Sequence, residues 1–239
     1  MNSEDMLIKG AQEMNVNLDE DMVKQFNQYT KMLLEWNNKM NLTNIVEDKD
    51  IIVKHYLDSL AAINTGCIRD GHRVADIGTG AGFPGLPVKI VKKNINMLLV
   101  DSLNKRINFL KAVIDTLRLN GVEAVHSRAE EVGQDPDYRE TFDIVLTRAV
   151  AKINVLCEYT LPLLKIGGMF LCFKGPWPKE EIEEAENAVK VLGGKLVGVN
   201  NYTLPFSDIS HSIVIFEKTK QSPTKYPRKA GKPAKNPLM

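Results

Sequence analysis

The sequence predicts an α/β fold, a mostly parallel sheet with helices on both faces, and three observations carry that expectation. From Arg73 onward, short apolar runs alternate with helical stretches, the pattern of successive strand–helix–strand units. The first run, Val74-Ala75-Asp76-Ile77, opens into Gly78-Thr79-Gly80-Ala81-Gly82, a turn with almost no side-chain bulk. After the last helical stretch come two strands in succession, and such a closing pair favours an antiparallel return.

Ahead of the sheet, residues 19 to about 65 read as helical. Asp19 can cap a helix carrying Met22, Val23, Phe26, Tyr29, Met32, Leu33 and Trp36 at three- and four-residue spacing. The polar stretch 37–43 predicts a break, followed by a second helix from about Lys49 to Ile63; Gly66 and Asp70-Gly71 close the region. Strand 73–78 leads to a helix near 84–92, which Pro84 can start because proline suits the first helical turn. Strand 95–100 feeds a helix near 103–119, stopped by Asn120-Gly121. Short strands are predicted at 122–126 and 142–147, then a helix near 152–165 ending before Gly167-Gly168. Strand 169–174, a helix at 178–192 ended by Gly193-Gly194, and strands 195–203 and 211–217 complete the series. The chain thus divides into an N-terminal helical extension (1–70), an α/β core (71–217) and a basic tail (218–239). Ligands of such sheets sit at the carboxyl ends of the strands, where strand order reverses. Gly78, Asp101, residues 127–130, Thr147 and Arg148 are therefore expected to share one rim.

Composition narrows the function classes. The 239 residues hold one α/β domain with an extension, and no apolar run approaches a membrane span. The acidic, polar start MNSEDMLIKG resembles no secretory signal. Cysteines at 67, 157 and 172 form no close pair, which suits a reducing cytoplasmic setting, and no histidine/cysteine cluster has zinc-like spacing. Net charge is +1, but residues 218–239 hold seven Lys/Arg and no acid, so the remainder carries −6. Lys225, Arg228 and Lys229 lie in that tail, whose composition predicts a flexible segment touching polyanion phosphates. A merely solubilising end is the bland alternative.

The glycine turn selects a ligand class. A dinucleotide fingerprint wants its third glycine at 83, where Phe83 stands; the glycines fall instead at 78, 80 and 82, with Asp76 two residues ahead. Asp-x-Gly-x-Gly-x-Gly is the first-loop pattern of S-adenosylmethionine methyltransferases. Asp101, 25 residues after Asp76 and at the tip of the second strand, is placed to accept hydrogen bonds from a ribose. Asp76 suits the ammonium of the methionine tail and would repel a pyrophosphate. An NAD-linked oxidoreductase is therefore the weaker alternative.

Other rim residues point to the reaction. Ser127-Arg128-Ala129-Glu130 stands where an adenine would lie, although Glu130 suits a helix start equally well. Thr147-Arg148-Ala149-Val150 follows the fourth strand in place of an Asn/Asp-Pro-Pro-Tyr motif, which argues against methylation of an exocyclic amine. Guanine N7 has a free lone pair at neutral pH and needs no general base, so positioning and hydrogen bonds to the base can carry catalysis. A structural ion pair with Asp143 is the other use for Arg148. Thr43 and Asp58 read as cap or turn residues, and His55 as a helix histidine sharing a face with Asp58 and Ser59. Cys172 lies in an apolar strand and reads as inert. Lys174 at a strand end suits phosphate or base contact, and Trp177 either stacks on a nucleotide or covers the sheet edge.

Taken together, VADIGTGAGFPG, NLTNI at 41–45, HYLDSL at 55–60, SRAEE at 127–131, TRAVA at 147–151 and FKG at 173–175 resemble the small-subunit ribosomal RNA methyltransferase G family, also called glucose-inhibited division protein B. The likeness spans about residues 20–239, the tail KYPRKAGKPAKNPL included. It implies a Rossmann-like class I methyltransferase fold and N7 methylation of a guanosine in 16S rRNA, or in the small subunit, with S-adenosylmethionine as donor. By the same resemblance Gly78, Gly80 and Phe83 would meet the cofactor, Asp101, Ser102 and Leu103 its ribose side, and Ala129 and Glu130 its adenine side. Arg148 would lie near the methyl, and Asn41, Thr43, His55, Asp58 and Lys174 would belong to the base pocket or face RNA. A non-catalytic factor binding rRNA and S-adenosylmethionine is the remaining alternative.

Overall fold

In the computed structural model, residues 1–148 and 151–239 are described; Ala149 and Val150 of the TRAVA motif lie outside them. Two helices begin the chain, α1 (Ser3–Glu13) and α2 (Glu20–Met40). Sequence periodicity missed α1, whose first turn is capped by the Asn2 side chain accepting from the Asp5 N–H. The polar stretch from residue 37 does not break α2. Asn37 stays helical and its side-chain oxygen accepts the N–H groups of Leu42 and Thr43, while Asn41 ends the helix in the left-handed conformation at φ 49°.

The second expected helix is one rod in three parts: α3 (Asp48–Ile51), a π-helical stretch (Ile52–Leu57) and α4 (Asp58–Asn64). Then follow β1 (Arg73–Ile77), α5 (Gly85–Val91), β2 (Asn96–Asp101), α6 (Asn104–Thr116), β3 (Val122–His126), α7 (Ala129–Val132) and β4 (Phe142–Arg148). The chain continues through α8 (Ile153–Thr160), a 3₁₀ turn (Leu161–Leu163), β5 (Leu164–Lys174), α9 (Lys179–Val191), β6 (Gly194–Thr203), β7 (Ser210–Lys218) and α10 (Lys232–Lys235). Gly167 and Gly168 sit inside β5 instead of ending a helix. A Cβ on Gly168 would come within 3.0 Å of the Lys165, Phe142 and Asp143 carbonyls, so the irregular pairing of β4 with β5 needs glycine there.

The seven strands run in the order β3-β2-β1-β4-β5-β7-β6. Pairs from β3 through β5 are parallel, and β7 is antiparallel to both β5 and β6, as the closing strand pair predicted. Side chains alternate across each strand, giving two cores. Val74, Leu99, Ile144 and Leu171 pack under α2, α5 and α6, while Ala75, Val100, Val145 and Phe170 pack under α8 and α9. Sheet order reverses between β1 and β4, which fixes where a crevice opens.

The expected flexible tail is packed against the body instead. Lys218 is wholly buried, bonding Ser222 Oγ at 2.7 Å and Glu140 at 3.1 Å, and Arg139 donates to the carbonyls of Ser222 and Tyr226. Arg228 clasps the buried Glu158 carboxylate at 2.6 and 2.8 Å. Charge composition could not reveal this, because the acids that recruit the tail lie 70 to 101 residues away in sequence.

Candidate functional site

Two clefts flank the strand-order reversal. The first, about 440 Å³, is lined by Gly78 after β1, Asp101 and Ser102 after β2, and residues 127–130 after β3. Its glycine loop is held from below. Asp76 Oδ2 accepts from the Gly85 N–H at 2.8 Å and from Thr79 Oγ at 2.7 Å, and Gly78 and Thr79 both donate to the Val100 carbonyl. Burial raises the Asp76 carboxyl to about 6, against those two hydrogen bonds. With no exposed surface, Asp76 braces the loop through Oδ2, while its Oδ1 has no hydrogen-bond partner among the described residues. From above, the Tyr29 hydroxyl of α2 donates to the Ala81 carbonyl, so the helical extension buttresses the same loop.

The glycine turn of this cradle admits a nucleoside ligand by its backbone. Gly80 has φ +61° and open space where a Cβ would stand, so the backbone can be approached closely. Asp101 Oδ2 accepts from the Gly80 N–H at 2.9 Å and pairs with Arg106 at 3.1 Å, and Oδ1 accepts from the Leu103 N–H. Ser102 lies on the wall, and Leu103 caps α6 with an exposed side chain. Ala129 opens α7, and Glu130 Oε1 accepts from the Gly231 N–H at 2.8 Å. Gly231 and Ala234 thereby wall the cleft, a contribution of the tail that composition gave no sign of.

The second cleft, about 450 Å³, is lined by Ile45, Lys54, His55, Asp58, Arg148, Phe173, Lys174, Gly175, Ile209 and His211. Arg148 is its most constrained charge. Its NH1 donates to Asp58 Oδ2 at 2.7 Å and to the Lys54 carbonyl at 3.2 Å, and its guanidinium lies 5.2 Å from the centre of the Phe83 ring. Asp143, the alternative partner, is taken by Lys165 and the Arg73 N–H. The π-helical stretch supplies the Lys54 carbonyl and that of His55, 3.4 Å from the same NH1, since its widened turn replaces the ordinary backbone ladder beside the site.

His55 stacks on Phe83 with centroids 4.3 Å apart, so the glycine loop and the second cleft share one aromatic wall. Its Nδ1 lies 3.2 Å from the donor NH2 of Arg148 and must accept, leaving Nε2–H to donate to Thr43 Oγ at 2.9 Å. Burial and the Arg148 charge lower its basicity to about 3. Both nitrogens are occupied, and the ring stays neutral. Thr43 accordingly orients His55, while Asn41 is an exposed helix cap placed on the wall of neither cleft.

Asp58 is the hub. Burial opposes its ionisation, but hydrogen bonds from His211 and Tyr202 and the charge of Arg148 hold it below the usual carboxylate range. Tyr202 and His211 sit directly opposite each other on β6 and β7, and both donate to Asp58 Oδ1, at 2.7 and 2.8 Å. Sequence reasoning missed both, because cross-strand pairing leaves no local spacing. Lys174 lines the cleft but is already paired with Glu181 at 2.7 Å. Trp177 is fully on the surface, and Cys172 is buried, its thiol pushed up to about 12 by that burial. Of the tail residues, Lys225 and Lys229 are exposed, whereas Arg228 is committed to Glu158.

Known proteins resemble this chain closely. The family model described as GidB, rRNA small subunit methyltransferase G, matches residues 22–208. Proteins named ribosomal RNA small subunit methyltransferase G from Alkaliphilus metalliredigens and Acetivibrio thermocellus are 51% and 50% identical, covering 100% and 98% of this chain and 100% and 96% of their own. Among solved structures, M. jannaschii TYW2 in complex with AdoMet aligns at TM-score 0.53 and 17% identity over 67% of this chain and 76% of that one. TrmN from Thermus thermophilus aligns at TM-score 0.53 and 17% identity over 68% of this chain and 48% of its own. At such identity these two carry the fold alone.

Proposed function

The chain belongs to the rRNA small subunit methyltransferase G family, and on that premise we propose that it transfers a methyl group from S-adenosylmethionine to N7 of a guanosine in 16S rRNA. One observation carries this reading beyond the family: the glycine loop whose Gly78 walls the first cleft packs, through Phe83, on His55 of the arginine-lined second cleft, and the two clefts flank the point of strand-order reversal. S-adenosylmethionine, when bound, supplies an electrophilic methyl group. Gly78, Gly80, Asp101, Ser102, Ala129 and Glu130 would hold it, with Phe83 at the boundary. Arg148, fixed by Asp58 and two carbonyls, presents a preorganised charge to the base, and His55 keeps that guanidinium in place without moving a proton. Such a reaction needs no side chain to remove a proton, and the neutral, fully bonded His55 agrees with that.

Lys225 and Lys229 would contact rRNA phosphates. With 16S rRNA as substrate, the protein would act in the cytoplasm on the small subunit. No helix among the described residues is long and apolar enough to cross a membrane. Offering methyl-labelled S-adenosylmethionine to unmodified 16S rRNA and to small subunits, then digesting the RNA, tests the assignment. Labelled 7-methylguanosine is the expected product. Another labelled nucleoside would overturn the N7 assignment, and no label despite cofactor binding would favour a non-catalytic role.

A further inference from the structure

His211 and Asp58 form a carboxylate–imidazole pair on the wall of the second cleft that positioning Arg148 does not require. Asp58 already engages Arg148 through Oδ2, while Oδ1 is given to His211 and Tyr202. A buried carboxylate only accepts, so Nδ1 of His211 carries the proton. In the neutral ring Nε2 is then a lone-pair acceptor, and among the described residues nothing hydrogen-bonds to it. The Tyr202 ring meets the imidazole edge-on at 6.1 Å and fixes its plane. About a third of the His211 side chain stays exposed, on the cleft side of a residue whose other face is packed.

We propose that Nε2 of His211 accepts the N1–H of the target guanine, with Asp58 as the positioning residue that sets the ring's tautomer. The inference rests on the guanine-N7 reading above. It also gives the pair a part in the chemistry. When the N7 lone pair forms its bond to the methyl carbon, the carbon–sulfur pair stays on sulfur as a neutral thioether, and the purine becomes cationic. The N1–H is then more acidic and its hydrogen bond to Nε2 strengthens, with the proton remaining on the base. An interaction that tightens as charge develops accelerates the step instead of only binding substrate. Adenine presents a lone pair at N1, so the same acceptor rejects it.

A two-by-two experiment tests this. An RNA fragment that the wild-type enzyme methylates is made with guanosine or with 2-aminopurine at the target; 2-aminopurine keeps N7 and the 2-amino group but lacks both the N1–H and O6, so only the part of the preference that depends on His211 reports the N1–H contact. Each is given to wild type and to His211→Ala, and single-turnover rates and RNA affinity are measured separately. The wild type should prefer guanosine by ten- to a hundredfold, mainly in rate, and His211→Ala should shrink that preference about tenfold, leaving the share that belongs to O6. His211→Gln, whose amide oxygen can accept, should restore part of the preference, which a purely structural loss would not do. Circular dichroism and cofactor affinity report whether each variant folds. An undiminished preference in a folded His211→Ala would overturn the proposal while leaving the methyltransferase reading intact. Failure of the wild type to give 7-methylguanosine from the guanosine RNA would overturn the N7 reading first.

Discussion

The imidazole of His55 is stacked on Phe83, bonded at both nitrogens and held to a basicity of about 3 by burial and by Arg148, against 6.5 for an ordinary histidine. Between those values the unfolded chain binds a proton that the folded chain does not. Stability therefore rises with pH through that window, and acidification from about 6.5 toward 3 removes it at up to ~1.4 kcal/mol per pH unit. Replacing His55 with Phe, which keeps the stack but cannot titrate, should flatten the dependence of Tm on pH over this range in thermal unfolding followed by circular dichroism. Arg148 belongs to the same stack and makes a second prediction. Arg148→Ala should cost about 2–4 kcal/mol, because the buried Asp58 carboxylate loses its cation and keeps only Tyr202 and His211, and in the folded protein should slow single-turnover methyl transfer about a hundredfold or more, because it removes a charge aimed at the base. Cofactor affinity, measured by calorimetry, should change far less than the rate.

At the scale of elements, the glycine loop depends on what packs above it. A Cβ on Gly82 would stand 2.5 Å from Leu86 Cδ1 and 2.6 Å from the Tyr29 hydroxyl, at φ +101°. Gly82→Ala should therefore cost about 2–4 kcal/mol of stability in urea titrations, from left-handed strain and from displacement of α2. This loop was legible in the sequence because its chemistry is local: four glycines and an acid within ten residues set both the turn and its ligand class. The strand–helix alternation was legible for the same reason, each element announcing itself by period. What escaped depends on distant partners. The π-helical stretch gives two of its carbonyls to the distant Arg148, the Tyr202–His211 pair is set by strand register, and the role of Asp76 by the fold of the loop over it. The resemblance assigns Asn41 to the base pocket or to RNA, yet a left-handed helix cap asks for the same residue.

Across the whole molecule, the charge asymmetry resolves into two kinds of cation. Lys218 and Arg228 are spent on Glu140 and Glu158, whereas Lys220, Lys225, Lys229, Lys232 and Lys235 face solvent. Arg228→Ala should leave the Glu158 carboxylate buried and unpaired and cost about 3–5 kcal/mol, visible as a lower denaturant midpoint. Lys225→Ala and Lys229→Ala should instead leave stability nearly unchanged and each reduce the slope of log RNA affinity against log salt by about one. An unchanged slope in the double variant would remove the tail from the RNA contact.

The hydrogen bond from the Gly231 N–H to Glu130 has a further thermodynamic consequence. The segment that carries Gly231 and Ala234 is docked on the cleft that holds the glycine loop, so any molecule bound there binds the docked form in preference to the undocked one. Segment and cofactor are then ligands of each other, and linkage makes the effect reciprocal. Loosening the segment at Arg228 should weaken cofactor affinity, and the loss on complete undocking should equal the factor by which saturating cofactor raises hydrogen-exchange protection between residues 222 and 239.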